Sequence, residues 1–180
     1  MTLEARCLDR FPAWLHAFPD DARALAGVLE GDPSDGARRW AAVALTYLFK
    51  SLDLIPDGLE DLGYIDDAFV MRVAAAQVPE AERGEESAVL ARLAADAELI
   101  REFLGESYSN LESYVRGLTA ASAKGRSVAE IGADVSVAAE FVHEVREWAD
   151  GYAVPGFSRD AKTLVKLRSF LETKLAGAAT

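Results

Sequence analysis

Along most of this chain the apolar positions return every three or four residues, the interval that places them on one face of an α-helix. Leu3, Cys7, Leu8, Phe11, Trp14, Leu15 and Phe18 open the pattern. Pro12 has no amide hydrogen to give, so it predicts a kink there, or a helix that begins near Asp9. A second helix is expected from Pro19 to Leu29, with Asp20 and Asp21 complementing the positive end of its dipole. EGDPSDG then breaks the chain before a third helix from about Gly36 to Ser51. That segment, GARRWAAVALTYLFKS, is apolar nearly all round beyond Arg39, which predicts contact on several sides and a place at the centre of the core.

A fourth helix, opening at Asp66 or Asp67, reaches about Gln77, and Pro79 marks a boundary and a new start. From Pro79 to Leu104 the set Val89, Leu93, Ala97, Ile100 and Leu104 steps by four or three among charged residues. Leu111, Val115 and Leu118 mark a further helix, ended by AKGRS. From Ser127 to about Asp150, Val128, Ile131, Val135, Ala138, Val142, Val145 and Ala149 alternate steps of three and four. That 3.5-residue repeat predicts packing at a shallow angle, as in a bundle. Ser127 and Glu130 have the spacing of a capping box. After YAVPGFS, Ser158 is expected to cap a last helix holding Leu164, Leu167, Leu171 and Leu175. No run alternates with period two for long enough to read as a strand. The expected fold is all-α: a single-domain helical bundle of about seven or eight helices over residues 1–180. A central apolar helical hairpin occupies 40–78, and additional amphipathic helices fill 79–180.

Composition agrees and then narrows the partners. Apolar residues make up 51% and charged ones 27%, which fits a chain able to bury a core. The net charge of −11 disfavours nucleic acid and anionic membrane, both of which require a cationic surface. It favours cations or a basic protein partner. Peripheral membrane contact through an exposed apolar helix is the third possibility, and the acid-rich composition speaks against it. Cys7 is the single cysteine, so no internal disulfide forms, in keeping with a cytoplasmic location. The longest apolar run, Trp40 to Phe49, is half of the roughly 20 residues a transmembrane helix needs.

Chemistry concentrates in one stretch, YLFKSLDLIPDGLEDLGYIDDAFVMRVA, from Tyr47 to Ala74. Asp53, Asp57, Glu60, Asp61, Asp66 and Asp67 crowd it, with Lys50 and Arg72 as its only bases. Carboxylates at that density repel one another and must be capped, solvated or neutralised. Asp53-Leu54-Ile55-Pro56-Asp57, a short spacer, and Gly63-Tyr64-Ile65-Asp66-Asp67 between two apolar helices resemble the YkvA-like family of domains of unknown function. The resemblance implies a helical hairpin and supplies no established activity, cofactor or substrate. Members of that family often look membrane-associated, and the acidic spacer GLEDL departs from this.

Three readings of the aspartates stand side by side. In the first they cap helices: Asp66 as an N-cap accepts from the amides of Ala68 or Phe69, with Ile65 and Val70 as a hydrophobic staple, and Asp53 caps a turn after Ser51. In the second, Asp53, Asp57, Asp66 and Asp67 hold a divalent cation (Mg, Ca or Mn), since hard cations take several carboxylate oxygens. An EF-hand is excluded, because Ile55 and Tyr64 fall where ligands belong. In the third the loop is a docking surface for a basic partner. The leading function class is therefore a non-enzymatic interaction or scaffold module with the acidic loop as its distinctive surface. The alternative is a divalent-metal-binding protein, in one version a metal-dependent hydrolase.

Other constellations subtract themselves. Glu140 and His143 reproduce half of a di-iron pair, but His16 has Ala13 three residues before it, so the second half is missing. Glu147 stands where a zincin needs histidine. Cys7 reads as a small core residue. Arg159, Lys162 and Lys166 share a solvated face of the last helix.

Overall fold

The computed structural model describes residues 1–50, 53–59, 61–83 and 88–178. The chain opens with α1 (Leu3–Glu30), whose N-cap Thr2 accepts from the Ala5 amide at 3.1 Å. The two helices expected here are one. Pro12 and Pro19 both lie inside it. Each removes an internal hydrogen bond, but the buried face formed by Phe11, Trp14, Leu15, Phe18, Ala22, Leu25, Ala26 and Leu29 continues unbroken past both. Burial of that many large side chains outweighs two local penalties.

Ser34 caps α2 (Asp35–Tyr47) by accepting from the Ala37 amide at 3.1 Å. Every residue of α2 from Ala41 to Tyr47 is buried. The following amides of Leu48, Phe49 and Lys50 each reach back three residues, tightening the chain as it leaves the helix. The expected end at Ser51 lies outside the described residues. After the acidic turns comes α3 (Ile65–Gln77), buried without a gap from Ile65 to Ala75. Thus α3, rather than the helix before it, is the most enclosed element. Around it stand α1, α2, α5 (Ala88–Leu104) and α6 (Tyr108–Gly117). A short α4 (Glu80–Arg83) follows Pro79.

Beyond α6 the segment AKGRS is a tight hairpin rather than a plain break. Two-residue strands, β1 (Ser122–Ala123) and β2 (Arg126–Ser127), pair antiparallel across Lys124 and Gly125. Both turn residues have positive φ, 52° and 76°, as a two-residue hairpin loop demands. The long seam expected from Ser127 to Asp150 is interrupted: α7 (Val128–Ala133) and α8 (Val135–Gly151) meet at Asp134. Asp134 leaves the helical conformation, at φ −118° and ψ 117°, and accepts from the Ser136 and Val137 amides. Val135, expected on the apolar seam, is consequently 81% exposed. The capping box of Ser127 and Glu130 is present in both directions, at 3.0 and 2.8 Å. The last helix, α9 (Ala161–Ala178), begins where Asp160, not Ser158, accepts from the Lys162 amide at 2.9 Å.

One apolar cluster runs from Cys7 to Leu175 and makes the all-α chain a single domain. At its centre Phe11 meets Phe69 and Phe103 edge-on, with centroids 5.0 and 5.2 Å apart. Among the described residues no helix is long and apolar enough to cross a membrane.

Candidate functional site

The acidic stretch folds as two turns laid over the start of α3. The Leu59 amide bonds the Pro56 carbonyl at 2.9 Å, and the Leu62 amide bonds the Leu59 carbonyl at 3.2 Å. Gly63 lies so close beneath the first turn that a Cβ there would stand 2.2 Å from the Asp57 carbonyl oxygen. Next to it Tyr64 adopts the left-handed conformation, φ 63° and ψ −2°, and provides the N-cap of α3 with its backbone alone. Such a conformation is uncommon for a bulky residue and holds only where its surroundings enforce it.

This geometry overturns the capping reading. With Tyr64 at the cap, Asp66 and Asp67 fall inside the first turn, and Ile65 with them, so the expected staple is absent as well. Asp66 instead accepts from the Tyr47 hydroxyl at 2.7 Å and from the Ile55 amide at 3.1 Å. The Tyr47 oxygen in turn accepts from the Leu54 amide at 2.8 Å. Tyr47 is thus the functional residue that sequence reasoning missed. Its signal was a phenol in an otherwise apolar helical run, since a buried hydroxyl needs a partner. The proposed cap by Asp53 refers to a turn at Ser51, outside the described residues.

Asp57, Asp66 and Asp67 each offer one carboxylate oxygen, all within 4.8 Å of one another. Asp66 is fully buried, Asp67 is 2% exposed, and Asp57 and Asp53 are half-buried. One oxygen of each of the four, Asp53 Oδ1, Asp57 Oδ1, Asp66 Oδ1 and Asp67 Oδ2, is buried without a hydrogen-bond partner. Burial pushes Asp66 up to about 6. It lifts Asp67 well above the carboxylate range, helped by the charges of Asp66, Asp57 and Asp53. Burial and then repulsion from Asp57 and Asp66 raise Asp53 to about 7, with Lys50 pulling the other way. Asp57 is raised by burial too. Of the four aspartates picked from the sequence, Asp57, Asp66 and Asp67 converge, and Asp53 stands outside that group, near enough to feel the charges of Asp57 and Asp66. Such a cluster can hold protons, or surround a hard cation with oxygens.

Arg72, the base expected at the far end of this stretch, turns away from it. It is fully buried, 3.3 Å from both Asp21 and Asp96, and donates to the Ala68 carbonyl at 3.1 Å. Its guanidinium lies 4.2 Å from the centre of the Trp14 ring. Arg92 and Arg10 add ion pairs to Asp21 and Asp96, at 2.5 and 2.8 Å. Asp21, expected at a helix start, is a mid-helix counterion instead.

The remaining candidates sit apart. His143 is exposed and 3.4 Å from Glu147, while Glu140 pairs with Arg126. Cys7 is buried in the core, and that burial pushes its thiol up to about 11. On α9, Arg168 donates to the Phe103 carbonyl at 2.9 Å.

Residues 37–72 match the family described as "Protein of unknown function (DUF1232)". The matched segment begins in α2, spans both aspartate turns and stops at Arg72. No curated protein and no solved structure matches the chain.

Proposed function

We propose that this chain binds a divalent cation through Asp57, Asp66 and Asp67, with Asp53 as a further ligand from the rim. The observation that carries the reading is the unpartnered, enclosed oxygens of Asp66 and Asp67 converging with one from Asp57. Leaving such oxygens ionised and unpaired is costly, and a hard cation relieves both the repulsion and the lost solvation. The three oxygens come from a turn packed on Gly63 and a helix start tied to Tyr47, which holds these ligands in place. The YkvA-like resemblance falls on the same two turns and supports treating them as one unit.

The interaction reading, an acidic surface for a basic protein partner, is weakened by the inward aim of Asp66 and Asp67; a partner would reach chiefly the rim at Asp53, Asp57 and Asp61. Binding, with a structural or sensing outcome in a reducing cytoplasm, is the function we put forward.

The test is a thermal melt of chelator-stripped protein at pH 8, repeated with Mg²⁺, Ca²⁺ or Mn²⁺. A cation at 100 times its Kd adds about 2.7 kcal/mol of stability. For a chain of this size that is a rise of roughly 5–10 °C. No rise with any of the three sinks the proposal, as does an equal rise in the Asp67→Asn variant.

A further inference from the structure

A cavity of about 480 Å³, within the range of roughly 300–1,000 Å³ typical of small-molecule sites, lies beside the acidic turns and is separate from the aspartate cluster. One wall is the α6 face carrying Asn110, Ser113, Tyr114 and Gly117, residues at helical spacing. The other includes Leu118, Leu175 and small residues of the hairpin and of α9. The chain has 30 acids against 19 Lys and Arg residues, yet among the described lining residues no acid occurs and Lys50 is the single charge. The Lys50 ammonium is fixed by donating to the Tyr114 hydroxyl at 2.8 Å, and it lies 4.9 Å from the centre of that ring. An ammonium has three donors, and among the described residues the Tyr114 hydroxyl takes one of them. Tyr114 meets Tyr47 edge-on, with centroids 6.4 Å apart, which braces the lysine's partner against the core.

We infer that this cavity binds a small amphipathic carboxylate, its anionic group on Lys50 and its apolar body against Leu118 and Leu175. A cationic ligand finds no counter-charge among the described lining residues. A neutral one forgoes the charge-assisted contact that Lys50 offers, which costs affinity. The inference does not rest on the cation site, and the experiment keeps the two apart.

Calorimetric titration of the full chain in EDTA, with octanoate, octanol and octylammonium as matched probes, tests it. Octanoate is expected to bind at least about tenfold more tightly than either of the others, the worth of one good charge-assisted contact. Lys50→Met should erase the difference between octanoate and octanol. Gly117→Leu provides a second variant: a Cβ there meets nothing within 4 Å and the backbone is helical, so the new side chain obstructs the cavity without strain. It should weaken octanoate by at least about tenfold with folding intact. Octanoate no tighter than octylammonium, unchanged octanoate binding in either folded variant, or no binding at millimolar octanoate overturns the inference. Because chelator is present throughout, a failed cation site leaves these outcomes readable.

Discussion

Two groups of buried carboxylates share α3, and they are handled in opposite ways. Near its C-terminal half, Asp21 and Asp96 are held by Arg72, Arg92 and Arg10, three guanidiniums for two carboxylates. At its start, Asp57, Asp66 and Asp67 converge with no basic side chain among the described residues within ion-pair distance; Lys50 acts on Asp53 from farther off. Burial lowers the Arg72 guanidinium to about 10, yet its two aspartates keep it charged at neutral pH. At the first-turn cluster the same burial lifts the acids instead, because the hydrogen bonds from Tyr47 and Ile55 and the distant charge of Lys50 offset only part of it. One site supplies its own counter-charge. The other asks for protons or a cation from outside.

Breaking the arginine-paired site should have the largest effect. Arg72→Met leaves Asp21 and Asp96 without their buried partner and is expected to cost about 3–5 kcal/mol, read by urea unfolding. Arg72→Lys should recover only part of this, since an ammonium lacks the fork that reaches Asp21, Asp96 and the Ala68 carbonyl together. Next comes Gly63→Ala, whose Cβ would meet backbone rather than a yielding side chain. Overpacking of that kind costs about 1–3 kcal/mol, and calorimetry should show weaker cation binding because Asp57 is displaced.

The pH response sharpens the contrast. Asp53 and Asp66 titrate near 7 and 6 when folded against 3.8 in the unfolded chain. Between those values the folded state holds protons that the unfolded state has released. Stability of the chelated protein should therefore fall as pH rises from about 4 through about 7, with a saturating cation restoring it at pH 8. Melts from pH 5 to 8 with and without cation check the sign. A flat profile in EDTA would remove the claim of an incompletely compensated cluster. The smallest effect is expected from Asp67→Asn in chelator at pH 8. Losing a buried carboxyl group that burial and its neighbours' charges both disfavour should raise the melting temperature slightly, while the rise with cation disappears. Asp21→Asn, by contrast, should destabilise.

Much of this was written in periodicity. Apolar spacing located α2, α3 and α9, and the pair Ser127 and Glu130 marked the start of α7 correctly. The break at Asp134 was hidden because a three-and-four repeat passes straight through it, and only the side chain's bonds to Ser136 and Val137 end one helix and begin another. Pro12 and Pro19 misled for the reverse reason: their effect is local, whereas the face that overrides them is tertiary. At the site, the density of aspartates was legible. Which were enclosed was not, nor that Asp66 would find Tyr47, 19 residues away. Arg72 finding Asp21 across 51 residues was equally out of reach.

The Tyr47 hydroxyl has one further consequence. A single oxygen receives the Leu54 amide and donates to the very carboxylate oxygen that holds the Ile55 amide. The Tyr47 side chain therefore ties both peptide groups, Leu54 directly and Ile55 through Asp66, so its displacement would loosen the two together. In deuterated solvent the two adjacent amide protons should be replaced at a common rate, and a ligand gripping Asp66 would slow both together.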